Sequence, residues 1–253
     1  MSFFAGVEQE DVAIRDFKGK SPLFYREAHI MGAVFTADLD ALRKALPDPW
    51  YRPFQILPGR GLIALHCMEY RDTDIGPYNE VSLAIPVRRS GSLPPLELLS
   101  SLRSGDHHAY IADLPVDTEP ALYGGIDFFN YPKYLADITF RETSTHRVCT
   151  LRDRDTHDLI LEFEGRRLAA RTAAPSERDL LTLHTYPRIE DRPNHARLLV
   201  NRIERASRLC RGAGLRYGPH PRADAFKNLL IGRLVHYAYA PRCQAILFKP
   251  RAL

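Results

Sequence analysis

Glu119-Pro120-Ala121-Leu122-Tyr123-Gly124-Gly125-Ile126-Asp127-Phe128-Phe129-Asn130-Tyr131-Pro132-Lys133-Tyr134-Leu135 is the stretch on which the reading of this chain turns. It sets one lysine, Lys133, among Phe128, Phe129, Tyr131 and Tyr134. Elsewhere the basic residues are nearly all arginine, with only Lys18, Lys20, Lys44, Lys227 and Lys249 as further lysines. An amine attacks a carbonyl only when it is neutral, and arginine in practice never deprotonates. A lysine kept in apolar company is therefore a candidate for carbonyl chemistry. Taken by itself, a Pro-Lys step in an aromatic loop is more often a surface turn.

Outward from this stretch, nineteen prolines punctuate the chain evenly. That spacing predicts many short strands joined by turns. The clearest helix runs from Leu39 to Leu46: Asp38 can cap its first amides, Leu39, Leu42 and Leu46 share a face, and Pro47 stops it. Gly61 to Met68 and Glu80 to Val87 read as strands. Leu159 to Ala170 alternates, with Gly165 read as a turn. Leu234 to Ala240 and Ala245 to Phe248 flank Pro241-Arg242-Cys243 as a closing strand pair. Around Arg202, Arg205, Arg208 and Arg211, periodicity fits a helix or a strand equally.

The 253 residues are expected to form a single domain, with residues 1–20 as an N-terminal extension. Hydrophobic residues make up 45% and charged residues 26%, ordinary values for a globular protein. No run of eighteen apolar residues occurs, so no membrane span is expected. The first twenty residues carry Glu8, Glu10, Asp11, Arg15 and Asp16 and lack the apolar centre of a signal peptide, which favours a cytoplasmic protein. The net charge of +4 is mild and its arginines are scattered, which argues against a nucleic-acid partner. Cys67, Cys149, Cys210 and Cys243 are too far apart for a zinc or redox motif and are expected to be buried thiols. No Gly-rich phosphate loop, GxSxG or HExxH motif is present. The adjacent His107-His108 pair is expected on an exposed loop.

The lysine-bearing stretch resembles the active-site segment of the acetoacetate decarboxylase family, EPA-x-x-x-GRE-x-x-x-(Y/F)PKK, without a gap. Asp38 to Pro47 is similar to the family's early helix. Tyr78-Asn79-Glu80 with Ala84-Ile85-Pro86-Val87 is similar to its glutamate-bearing strand. The resemblance implies an α+β fold, mainly antiparallel β, in which a barrel with a few short helices encloses an apolar cavity. It makes the Arg202 run a strand. It implies a homo-oligomer that acts on a small keto acid with no metal or organic cofactor. Lys133 falls on the imine-forming lysine and Glu80 on an active-site glutamate.

Several positions depart from that pattern. The second lysine of the motif is Tyr134, GRE is Gly125-Ile126-Asp127, Thr36 stands where an arginine is expected, and His66 replaces a second acid. Activation of the lysine by a neighbouring cation is an established feature of the family, not a deduction from this sequence. Without that cation the amine has to be kept neutral by burial alone. Phe128, Phe129, Tyr131 and Tyr134 are the residues expected to make the pocket dry, with His66, Tyr134, Tyr131, Phe129 and Thr36 touching substrate. Arg26 or Arg60 is a possible replacement for the missing carboxylate-binding arginine.

The expected chemistry is Schiff-base formation at Lys133, followed by loss of carbon dioxide from a β-keto acid. Glu80 shuttles the proton to the enamine, and His66 assists. An aldol or dehydration outcome uses the same imine. A ligand-binding barrel without catalysis is the reading from another class.

Overall fold

A computed structural model describes residues 2–88, 104–172, 179–229 and 231–253. The chain opens with a hairpin, β1 (Glu10–Ile14) and β2 (Phe17–Ser21), followed by the long strand β3 (Leu23–Asp38) and helix α1 (Leu39–Ala45). Two short strands, β4 (Arg52–Pro53) and β5 (Gln55–Leu57), precede β6 (Arg60–Thr73), β7 (Tyr78–Arg88) and β8 (Asp106–Asp113). Helix α2 (Glu119–Phe129) leads into β9 (Ala136–Glu142), β10 (His146–Asp153) and β11 (Leu159–Arg166). Then come β12 (Arg171–Thr172), β13 (Leu180–Thr185), β14 (Arg188–Ile189), β15 (Arg192–Leu209) and β16 (Ala213–Tyr217). A 3-10 turn (Pro221–Ala223) runs into the short helix α3 (Asp224–Lys227), and β17 (Leu234–Ala252) ends the chain.

Seven of these strands close into a barrel, in the order β3, β6, β7, β8, β13, β15, β17 and back to β3. All neighbours are antiparallel except β8 and β13, which run parallel. Strand alternation divides the side chains between two surfaces. His66, Met68 and Tyr70 of β6 point inward with Tyr78, Glu80 and Ser82 of β7. Ile63, Leu65 and Cys67, with Val81, Leu83 and Ile85, point outward. That outward set packs against Ile138, Cys149, Leu151, Ile160 and Phe163 of a four-stranded sheet, β16-β11-β10-β9. The largest apolar core thus lies between barrel and sheet, and the barrel lumen is left for a cavity.

The structure revises several sequence expectations. Gly165 lies inside β11, paired with Arg147, and is not a turn. A side chain there would meet the Tyr237 hydroxyl at 2.3 Å, so its absence is what lets the sheet close on the barrel. Residues 234–252 form one strand, not a pair. Pro241 cannot donate to the ladder, and the register slips between Ala240 and Cys243 without reversing the chain. His107 and His108 lie on β8, not on a loop. Cys67, Cys149 and Cys243 are buried, whereas Cys210 is exposed. The lysine-bearing stretch, read as an aromatic loop, begins as helix α2. Among the described residues, no helix is long and apolar enough to cross a membrane.

Candidate active site

Lys133 reaches the lumen because the six residues after α2 are pinned. Asn130 ends the helix in a left-handed conformation (φ 49°), its N–H donating to the carbonyls of Gly125 and Ile126. Beyond it, Val116 donates to the Tyr134 carbonyl (3.0 Å) and accepts from the Ala136 N–H (2.9 Å). Val116 is also bridged to Glu80 on its other side. One fully buried residue therefore ties the lysine segment to the glutamate-bearing strand.

The Nζ of Lys133 lies 2.7 Å from Oε2 of Glu80, and the two side chains are 6% and 10% exposed. The lysine stem crosses α2 at Gly125, where a β-carbon would stand 2.3 Å from Cδ and Cε. Tyr78 places its ring 5.8 Å from Nζ and shares a 3.1 Å hydrogen bond with the Tyr25 hydroxyl. Burial first, and after it nearby charge such as Glu80, push the phenols of Tyr25, Tyr70 and Tyr78 above their ordinary range. They stay protonated: the Tyr70 hydroxyl donates to Sδ of Met68 at 3.2 Å, and one of the Tyr25 and Tyr78 hydroxyls donates to the other.

The cavity around this pair has a volume of about 240 Å³. Helix α2 covers one mouth of the barrel through Ala121, Gly125 and Phe129, and the β1–β2 hairpin adds Val12, Ile14 and Lys20. Residues 1–20, expected as an extension, thus help to wall the site. Phe128, Phe129 and Tyr131 line the cavity. Tyr131 is fixed by a 2.6 Å hydrogen bond with Thr185.

His66 also faces the cavity, its ring lying against Gly32, where a β-carbon would stand 2.7 Å from it. Burial, with His107 nearby, lowers its pKa to about 4. At neutral pH it offers one donor and one acceptor and no charge.

Two expected contacts are not brought to the site. Tyr134 follows Lys133 in extended chain and points the other way. Its hydroxyl donates to Asp113 at 3.2 Å, and Arg222 lies over its ring. Thr36 is engaged with the backbone, its Oγ1 accepting from the Arg233 N–H at 2.9 Å, and it does not line the cavity. Neither suggested arginine lines it: Arg26 pairs with Asp74 and Asp72 outside. The arginine that does line the cavity is Arg202 of β15. It was missed with Met68, Tyr70, Tyr78 and Ser82. Counting alternate residues from His66 and Glu80 would have found the last four.

The model of the acetoacetate decarboxylase (ADC) family matches residues 15–243. The chain belongs to the acetoacetate decarboxylase family. The acetoacetate decarboxylase of Clostridium beijerinckii is 29% identical over 117 residues, covering 46% of this chain and 39% of that protein. The chain therefore aligns with well under half of that relative's length. The solved acetoacetate decarboxylase of Legionella pneumophila shares the fold at 14% identity, with a TM-score of 0.66 over 99% of this chain and 93% of that one. The enduracididine biosynthesis enzyme MppR complexed with pyruvate is similar at 13% identity, TM-score 0.61, over 91% and 89% of the two chains. MppR has also been solved with the condensation product of pyruvate and imidazole 4-carboxaldehyde.

Proposed function

We propose that this member of the family is a Schiff-base enzyme that acts on a small keto acid through Lys133. The observation that carries the reading is the 2.7 Å contact between Lys133 and Glu80 inside a mostly apolar cavity. A buried ion pair gains less from its mutual attraction than it does in a polar setting, after desolvation is counted. Transfer of the shared proton to Glu80 removes both charges and leaves the amine lone pair free.

The amine then adds to the ketone carbon, and the carbinolamine loses water to give an iminium. With a carboxylate on the carbon next to the former ketone, the carbon–carbon bond pair moves into the iminium and carbon dioxide leaves. Glu80 gives the proton taken from Lys133 to the departing hydroxyl, takes up another from solvent, and delivers that one to the enamine carbon. Water hydrolyses the new iminium and restores the lysine. Apolar walls and protonated phenols keep bulk water from competing with these steps.

Aldol condensation or dehydration is the second reading. It is favoured by the position of Arg202, which is not beside Lys133 but on another strand of the lumen. The same enamine then attacks an aldehyde carbon instead of taking a proton.

Borohydride reduction in the presence of acetoacetate tests the imine. The expected result is a stable adduct on the peptide carrying Lys133, none in Lys133→Ala, and turnover reduced about 100-fold or more in Glu80→Gln. Carbon dioxide release against condensation with an added aldehyde then separates the two outcomes. A folded wild-type protein that binds keto acids and gives no adduct at Lys133 would establish a ligand-binding barrel instead.

A further inference from the structure

The lumen has a second polar pole that the chemistry at Lys133 does not use. In the antiparallel pair of β6 and β7, Met68 stands opposite Glu80 and His66 opposite Ser82. One two-residue step advances about 6.8 Å along a strand, so His66 lies that much deeper than the Lys133–Glu80 level. Arg202 enters the lumen from β15 and is close enough to His107 and His236 to add to burial in disfavouring their protonation. His107 does the same to His66. Four basic side chains from β6, β8, β15 and β17 are thus gathered at one end. Met68, Leu183, Leu198 and Val200 make the wall between the poles apolar.

This end has unused hydrogen-bonding capacity. A guanidinium carries five N–H donors. Arg202 gives Nη2 to Asp179 at 2.5 Å, and its buried Nε has no acceptor among the described residues. Asp179 is shared with Arg205, so two guanidiniums divide one carboxylate. The other acid nearby, Asp106, is half-exposed. The His66 ring makes no hydrogen bond among the described residues. Among the described residues, this pole therefore holds more donors than Asp179 and Asp106 can accept from.

We propose that Arg202 and His66 bind the carboxylate of a keto acid whose ketone reacts at Lys133, so that the preferred substrate carries its carboxylate several bonds away from the ketone. This rests on the Schiff-base reading above and narrows its substrate class. A carboxylate on the carbon beside the ketone does not span the step from Lys133 to His66. An acid held at the far pole is kept through the reaction. The enamine then forms by loss of an α-proton to Glu80, not by loss of that carboxylate.

Half-saturation of borohydride trapping at Lys133 tests the proposal with 4-oxopentanoate and 5-oxohexanoate against 2-pentanone and 2-hexanone. The keto acids are expected to half-saturate at a concentration about tenfold lower or less than the neutral ketones. Arg202→Met should erase that advantage. His66→Leu, which spares the Asp179 ion pair, should lower the same advantage if Arg202→Met does not fold. Equal half-saturation for acids and neutral ketones, or an advantage indifferent to both variants, would overturn the proposal. Calorimetry on Lys133→Ala keeps the two readings apart. Arg202-dependent binding of 5-oxohexanoate there, with no trapping of any ketone in the wild type, would sink the imine and leave the anion pole standing.

Discussion

At the scale of residues, the site depends on an absence. Lys133 lies across α2 because Gly125 offers no side chain, and a β-carbon there would fall 2.3 Å from two carbons of the lysine stem. Gly125→Ala should push the amine away from Glu80 and slow adduct formation on the order of 100-fold, since small misplacements of a reacting group carry penalties of that size. Thermal unfolding should move little; an unchanged trapping rate would show that the stem simply shifts aside. Lys133 and Glu80 were legible in the sequence only through family resemblance, because nothing in local pattern links residues 53 apart. Tyr134 and Thr36 were misread for a plain reason. Position in a motif does not say which way a side chain points, and in extended chain the next residue points away.

Among the elements, α1 was readable from its ends. Asp38 Oδ1 accepts from the amides of Asp40 (3.1 Å) and Ala41 (2.9 Å), as an N-cap residue should. Asp38→Ala is expected to cost about 1 kcal/mol in urea unfolding. A loss near zero would mean that the packing of Leu39 and Leu42 alone sets the helix. Helix α2 was not readable, because Gly124, Gly125 and three aromatic residues, Tyr123, Phe128 and Phe129, disguise it. It exists because Ala121, Gly125 and Phe129, four apart, bury one face on the barrel. Its stability comes from tertiary contact, which a local window does not contain. The same holds for β17, whose Pro241 looks like a break in the sequence and proves to be a bulge between two long neighbours.

Across the whole molecule, buried histidines make stability depend on pH. Burial and Arg147 lower the pKa of His29 to about 3, and burial lowers that of His66 to about 4. The unfolded chain binds these protons near pH 6.5 and the folded one does not. Their contribution is complete above that value and falls away as the pH drops from about 6.5 toward 3. Asp113 works the other way: burial raises it to about 7, so acidification below neutrality favours the fold through this group. The difference between wild type and His29→Gln isolates one member. From pH 7 to pH 5 the wild type should lose roughly 1–2 kcal/mol more than the variant in urea unfolding. Parallel pH profiles would exclude His29 as a source of acid sensitivity.

The parallel contact between β8 and β13 follows from arithmetic. A ring with an odd number of members cannot alternate up and down throughout, so seven strands must contain one like-directed pair. Two such neighbours begin at the same rim, and the chain joining them has to travel the full height outside the ring. That obligatory detour is the segment carrying α2, Lys133 and three of the outer sheet's four strands, β9 to β11. An even-numbered relative of this barrel could be threaded by tight hairpins alone, and would then have no passage in which to suspend an amine over its mouth.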